Sequence, residues 1–275
     1  MDAVTALVEF LKTQPGFDPE AFDPDRFVAE LTDEQVQMVL GPILAEAEQA
    51  RYGKFTNFFP DETRDVAGFR YWARDLYPRH LEFFRATRQY REICFMAANR
   101  VGKTIAGGYL TAVLTTGRYP HWWEGRVFRN RIDGWVAGDT NETTRDILQL
   151  ELLGEVTYSK FRKTLDGSGL IPRECIGDVT WKQGVANLVD TIFIKHKNGG
   201  ESRLGFKSYD QGRRVFQGTA KHLIWLDEEC PEDVYGECLI RTATTRGIIP
   251  TTFTPLKGIS EVVMSFMDES MRLDA

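Results

Sequence analysis

Cys94-Phe95-Met96-Ala97-Ala98-Asn99-Arg100-Val101-Gly102-Lys103-Thr104 is the stretch on which the fold turns. Cys94 to Met96 close an apolar run, and the next eight residues match G-x-x-x-x-G-K-[ST] with Ala97 in the first glycine position. A loop that runs at once into a helix points unpaired backbone N–H groups at an anion, and the helix dipole adds to the attraction. Lys103 supplies a positive charge for β- and γ-phosphates, and Thr104 a hydroxyl for Mg²⁺. Residues 105–116 follow as a helix ending near Gly117, so the strand–loop–helix context is present. The plain alternative is a glycine-containing turn before a helix with an exposed lysine. A second motif is needed to choose.

That motif lies downstream. His222-Leu223-Ile224-Trp225-Leu226 is long enough for a buried strand and ends in Asp227-Glu228-Glu229. In phosphate-loop NTPases an Asp at such a strand end holds Mg²⁺, and a neighbouring Glu polarises the attacking water. Asp227 is thus the metal-side carboxylate and Glu228 the general-base candidate. Three successive carboxylates repel one another, and a nearby cation accounts for them. A solvated acidic turn capping the helix that starts near Pro231 is the alternative. With the upstream loop present, the pair of motifs points to an ATPase using ATP and Mg²⁺.

Composition narrows the class. The chain has 275 residues, 42% hydrophobic and 27% charged, with a net charge of −6. That is room for one large α/β domain with a small helical piece. The absence of a long apolar run gives no expectation of a membrane span. Four scattered cysteines, Cys94, Cys175, Cys230 and Cys238, show no metal-ligand pairing and suit a reducing, intracellular setting. The negative charge argues against coating nucleic acid with the whole surface, but not against a local patch or the lumen of a ring. Two basic clusters qualify, Arg79, Arg85, Arg88 and Arg91, then Arg126, Arg129 and Arg131. Either can equally be a solvated face.

Along the chain, helices are predicted over 2–13, from Asp23, and from Thr32 with a capping box, followed by a docked loop over 52–67. Residues 1–65 thus read as a helical subdomain and 66–275 as the phosphate-loop domain. In the latter, a helix over 78–90 leads into a strand at 92–97. A strand at 133–138, a helix to 153, a strand ending at Asp227, a helix over 232–242 and a strand at 248–253 follow. Strands alternating with helices imply α/β architecture with a mostly parallel sheet. Residues 191–196 and 202–207 flank Asn198-Gly199-Gly200, a hairpin signal at the sheet edge. A last helix is expected over 259–275. In a parallel sheet ligands gather at the carboxyl ends of strands, so the loop, Asp227-Glu228 and Thr252/Thr254 should converge.

With these pieces in order, residues 70–260 resemble the ATPase region of the large terminase subunit of tailed bacteriophages. CFMAANRVGKT looks like that family's deviant phosphate loops. SYDQGRRVFQGTAKHLIWLDEECPEDVYGE resembles its acidic strand and flanks, and TTFTPLKG its coupling motif. Tyr77-Pro78-Arg79-His80-Leu81-Glu82-Phe83 occupies the place of its adenine-recognition motif. The resemblance implies a RecA-like phosphate-loop (ASCE) NTPase fold. It implies an ATP-driven translocase of double-stranded DNA, working with a portal protein and a small terminase subunit. It further implies a homo-oligomeric ring on the portal, with no membrane involved, in the host cell cytoplasm.

At residue level the resemblance implies that Ala97, Ala98, Asn99, Arg100, Val101, Gly102, Lys103 and Thr104 cradle the phosphates. Tyr77 and His80 would meet the base, Thr104 and Asp227 would hold Mg²⁺, and Glu228 would activate water. Thr252 and Thr254 would sense the γ-phosphate. Arg213 or Arg214, about thirteen residues before Asp227, stands where the family often places an arginine acting on a neighbouring subunit's ATP. A local ion pair is the alternative for either. Arg100 would be a similar cation in cis.

Two departures carry expectations. His80 stands where an amide normally reads the base bidentately, which puts adenine specificity in question. The C-terminal nuclease domain of family members is expected to be absent, so no nuclease activity is expected. Alternatives of the same chemistry are another phosphate-loop translocase or helicase-like ATPase; a nucleotide-switched assembly module is a third.

Overall fold

The computed structural model describes residues 47–66, 68–159, 162–255 and 260–267, with 12, 18, 23, 41 and 45 as isolated earlier positions. The helices expected before residue 47 lie almost wholly outside the described residues, as does the end of the helix expected over 259–275. The chain divides into two compact units, residues 1–74 and 75–275.

In the first unit helical residues 47–52 and a further turn, α1 (Lys54–Asn57), precede a hairpin of β1 (Arg64–Val66) and β2 (Phe69–Tyr71). Asn57 is buried and its side-chain oxygen accepts from Gln49 and Arg64. The docked loop expected over 52–67 therefore contains a helical turn and the first strand of a hairpin. Most side chains of that hairpin are exposed, so no hydrophobic period announces it.

The second unit begins with α2 (Pro78–Ala86), which has Pro78 in its first turn, where a missing N–H costs nothing. It ends four residues before the expected Tyr90. Then come β3 (Glu92–Met96) and α3 (Lys103–Thr116), which stops at left-handed Gly117. β4 (Asp133–Gly138) leads to α4 (residues 141–153), opened by a capping box in which Thr140 and Thr143 bond reciprocally. The middle of α4 is π-helical, Thr144–Gln149. β5 (Val156–Ser159) and β6 (Arg162–Leu165) form a separate ribbon. β7 (Ile176–Trp181), β8 (Val189–Lys195) and β9 (Glu201–Ser208) precede β10 (Leu223–Asp227), α5 (Glu232–Ala243), β11 (Ile249–Phe253) and α6 (Glu261–Met267).

The main sheet runs β3-β11-β10-β4-β9-β8-β7. Its first five strands are parallel, and β8 and β7 add antiparallel at one edge. The hairpin read from Asn198-Gly199-Gly200 is β8–β9. Its β9 is a full member of the sheet, pairing parallel with β4. β11, last in sequence, lies between the phosphate-loop strand β3 and the acidic strand β10. This is the RecA-like arrangement, with helices packed on the sheet.

Alternation along β10 divides its work. Ile224 and Leu226 join Trp135, Val234, Cys238 and Ile249 in a cluster beneath α5. Trp225 and Asp227 face the α3 side, where Ala106, Leu110, Val113 and Leu114 are buried. Burying each such apolar side chain contributes about 1.5–3 kcal/mol. Helix α3 carries Gly107 and Gly108 in its interior, at a helix-propensity cost of about 2 kcal/mol together. Contact explains them: a Cβ on Gly107 would fall 2.2 Å from Trp225 Cε2, and one on Gly108 2.8 Å from Leu170 Cδ1.

Two substitutions separate propensity from packing. Gly107→Ala should destabilise by about 1–3 kcal/mol despite its better helix propensity, because the indole has nowhere to go. Gly236→Ala in α5, where an added Cβ meets nothing within 4 Å, should stabilise by about 0.5–1 kcal/mol. Denaturant titration of both variants measures the difference.

Candidate active site

The chain leaves β3 at Met96, and Ala97 donates its N–H to Phe253 O at 3.3 Å. The loop turns on two left-handed residues, Arg100 (φ 64°) and Gly102 (φ 87°). Gly102 is the N-cap of α3 and offers no capping side chain, so the first turn presents N–H groups without a side-chain partner from its cap. A Cβ there would also lie 3.0 Å from His80 Nε2. Glycine is needed at this position for its dihedral and for its neighbour.

Lys103 begins α3, only 8% exposed. Its Nζ donates to Ala98 O and to Thr254 Oγ1, both at 2.8 Å. Thr254 Oγ1 also lies 2.8 Å from Asn99 Oδ1 and 3.1 Å from Ala97 O. Thr254 thus ties both limbs of the phosphate loop to the end of β11. Val101 is 42% exposed at the loop tip beside exposed Arg100.

Asp227 ends β10 in register with Thr252 of β11. Its carboxylate is 6% exposed. Thr252 Oγ1 donates to Oδ1 at 2.6 Å, and Thr104 Oγ1 lies 3.4 Å from both carboxylate oxygens. Tyr209 OH donates to the Asp227 carbonyl at 2.9 Å. Burial pushes the Asp227 carboxyl up to about 7; Thr252, Thr104 and Lys103 oppose the rise and Glu228 adds to it. A buried carboxyl this hard to ionise, next to a hydroxyl at a helix start, is a hard oxygen donor set that fits Mg²⁺. Glu228 takes a left-handed conformation (φ 62°) and donates its N–H to Thr252 O at 2.8 Å. The carboxylate is turned out to solvent beside the buried one. For a residue with a Cβ this costs of order 1 kcal/mol or more, and such strain gathers at functional sites.

The other expected residues divide. Arg213 donates to Glu237 Oε2 at 3.0 Å, and Arg241 lies 3.0 Å from Oε1 of the same carboxylate, which is 3% exposed. The local ion pair considered for Arg213 is therefore what it makes. Arg214 is exposed, with no ion pair among the described residues. His80 is buried, edge-on to Tyr77 (5.3 Å) and Phe95 (5.0 Å). Burial lowers its pKa, opposed by hydrogen bonds from the imidazole to the backbone of Gly102 and Val101. The imidazole sits under the loop. The two basic clusters are partly spent on local partners: Arg79 pairs with Glu82, Arg85 with Glu124, and Arg126 and Arg91 bond backbone carbonyls of Arg246 and Gly247.

Sequence reasoning gave neither Tyr209 nor Trp225 a role at the site. Period-two spacing from Asp227 would have found Trp225, because residues two apart on a strand share a face. Tyr209 reaches Asp227 across the sheet and has no such signal.

The strand order and the loop geometry together define a RecA-like phosphate-loop NTPase fold. More particularly, the chain belongs to the family described as terminase large subunit, T4likevirus-type, N-terminal, whose model matches residues 94–273. It is 37% identical over 210 residues to the terminase large subunit of Salmonella phage P22, covering 70% of this chain and 41% of that protein. The chain thus spans about two fifths of that relative's length. Among solved structures, a mutant large terminase ATPase domain of Thermus phage P74-26 aligns with a TM-score of 0.48 at 14% identity, covering 68% of each chain. A large terminase of a thermophilic bacteriophage in complex with ADP aligns with a TM-score of 0.39 at 16% identity, covering 64% of this chain and 37% of that one. No described helix is long and apolar enough to cross a membrane.

The raised Asp227 pKa has a signed consequence for the chelated protein. The folded state holds this proton above the unfolded value of 3.8, up to about 7. Its stabilising contribution is full below pH 3.8 and is lost as pH rises through 7. Asp227→Asn removes the titration. In EDTA, the variant should gain on the wild type by about 2–3 kcal/mol from pH 5 to pH 8, read from urea midpoints.

Proposed function

We propose that this chain is the ATP-hydrolysing motor portion of a viral terminase, driving double-stranded DNA through a portal into a procapsid. One observation carries the reading. The Asp227 carboxylate is buried at the carboxyl end of β10, between Thr252 and Thr104, with Lys103 and the glycine-turned loop beside it. That is the donor set a nucleoside triphosphate with a divalent cation requires.

In this reading ATP lies along residues 97–104, with its phosphates on the first-turn N–H groups of α3. Lys103 exchanges its bonds to Ala98 O and Thr254 for the β- and γ-phosphates. Thr104 and Asp227 hold Mg²⁺, which when bound neutralises charge on those phosphates. Glu228, already turned outward by its left-handed backbone, orients the attacking water and accepts its proton as the terminal P–O bond to ADP breaks. Release of Lys103 from Thr254 frees the end of β11, so phosphate occupancy is felt at Thr252 and Thr254. Tyr77 and His80 stand on the base side, with His80 acting through the backbone of Gly102. Arg214, without an ion pair among the described residues while Arg213 is held by Glu237, is the cation offered to a neighbouring subunit's ATP. Arg100 is a second cation in cis.

Double-stranded DNA, a portal protein and a small terminase subunit are the proposed partners. The chain forms a homo-oligomeric ring on the portal, is a monomer in isolation, and acts in the host cytoplasm. The helical subdomain over 1–65 and the motor domain from 66 are the proposed functional division. The P22 relative is named a terminase large subunit, in keeping with this reading.

ATP turnover against protein concentration, with duplex DNA and portal, is the direct test. Turnover should rise steeply with concentration, and Lys103→Ala should abolish it. Glu228→Gln should cut kcat by about 10²-fold or more while sparing ATP affinity. Arg214→Ala should remove the concentration-dependent part, with Arg213→Ala retaining more. Equal turnover in Glu228→Gln and wild type would point to a nucleotide-switched module with a different base or none.

A further inference from the structure

Trp225 is the largest fully buried side chain among the described residues, and its one polar atom is committed. Indole Nε1–H donates to Thr252 Oγ1 at 2.7 Å, and Thr252 Oγ1 donates to Asp227 Oδ1 at 2.6 Å. Both bonds are buried. A threonine hydroxyl carries a single proton, whereas an indole N–H can only donate. With Asp227 ionised, as a metal ligand is, the direction of the whole chain is set: Thr252 accepts from Trp225 and gives its proton to the carboxylate. The second distance lies in the range of short O–H···O⁻ bonds to an ionised acceptor. Oδ1 is occupied by this bond. Oδ2 receives no such bond, and Thr104 Oγ1 lies 3.4 Å from both oxygens.

Elements that otherwise look unfavourable are explained by the same contact. Gly107 lies in the interior of α3, where its propensity is poor, and a Cβ there would fall 2.3 Å from the very nitrogen that makes the bond. The helix is thinned where the indole must pass to reach β11. An apolar side chain would fill a strand position facing α3 without this requirement, and a tryptophan there is used for its N–H as well as its bulk.

We propose that Trp225 is a positioning residue for the site's divalent cation: through Thr252 it fixes which oxygen of Asp227 is bound inside the protein and which is presented to the metal. The inference rests on the reading of Asp227 as a metal ligand. It assigns to Trp225 no contact with nucleotide or metal. Its effect is therefore felt only while Thr252 keeps its hydroxyl, which separates it from a role in packing alone.

The test uses the full chain, Mn²⁺ as the metal probe and a fluorescent ATP analogue as the nucleotide probe. Nucleotide affinity is titrated against Mn²⁺ for wild type, Trp225→Phe, Thr252→Val and the double variant, with binding in EDTA as baseline. Trp225→Phe should weaken the apparent Mn²⁺ affinity about fivefold, the scale of one lost hydrogen bond, and leave binding in EDTA unchanged. Thr252→Val should weaken it at least as much, and adding Trp225→Phe to Thr252→Val should change it no further. Thr252→Ser should restore it. Should Trp225→Phe fold poorly, site-specific incorporation of the benzothiophene analogue of tryptophan at 225 removes the N–H and keeps the shape. Additive losses, or an unchanged Mn²⁺ dependence in the analogue protein, would overturn the role of Trp225. A wild-type chain whose nucleotide affinity ignores Mn²⁺ would instead overturn the metal site itself.

Discussion

The burial of one carboxylate organises this domain. Asp227 is placed in low dielectric at the end of β10, and a charge there is tolerated only if its oxygens have partners. Those partners come from two separate segments: Thr252 from β11, and from the start of α3 Thr104 with its neighbour Lys103, which acts by its charge. None is adjacent to Asp227 in sequence. The strand order brings them together, because β11 inserts beside β10 in a register that faces Thr252 to Asp227. A shift of one residue in that pairing would turn Thr252 to the other face and leave the acid without its donor.

Around this point the structure accepts local costs for convergence. Gly107 and Gly108 weaken α3, yet they let Trp225 and Leu170 approach its axis. Arg100 and Glu228 sit in the left-handed region although neither is glycine. One places a guanidinium at the tip of the loop, and the other swings a carboxylate outward from a strand whose last side chain points in. These departures lie at the carboxyl edge of the parallel strands, where loops rather than ladders set the backbone. The core beneath is regular: apolar side chains of β10 and α5 interlock on one face, and those of α3 on the other.

Charge placement follows a similar division between scaffold and site. Glu237 is buried and binds both Arg213 and Arg241, so one of two adjacent arginines is structural. Arg214, next to it in the short 3-10 turn Arg213–Phe216, is exposed and has no ion pair among the described residues. Sequence alone treats the pair as equivalent, since both are basic and both lie at nearly the same distance from the acidic strand. Which of them is spoken for depends on a carboxylate on a helix some twenty-four residues later. The same holds for the upstream arginines, several of which close ion pairs or bond carbonyls far along the chain.

Long, strongly patterned pieces were legible from the residues. β3, α3, β4, β10, α5 and β11 come within a few residues of their expected limits, because buried strands and an apolar helix carry a hydrophobic period and glycine or proline marks their ends. The ribbon β5–β6, strand β7 and the hairpin β1–β2 were not. They are short, half-polar and at most half-buried, so their pairing owes more to neighbours than to their own composition. The loop motif and the acidic strand end also identified the chemistry in advance, since phosphate and a divalent cation demand particular residue types at particular spacings. The tertiary structure alone decided the strand order that joins those motifs. It also decided the burial of His80 beneath the loop, the pairing of Arg213 but not Arg214, and the indole–threonine–carboxylate chain through Trp225. Each of these is a contact between segments distant in sequence, and only packing determines which distant segments meet.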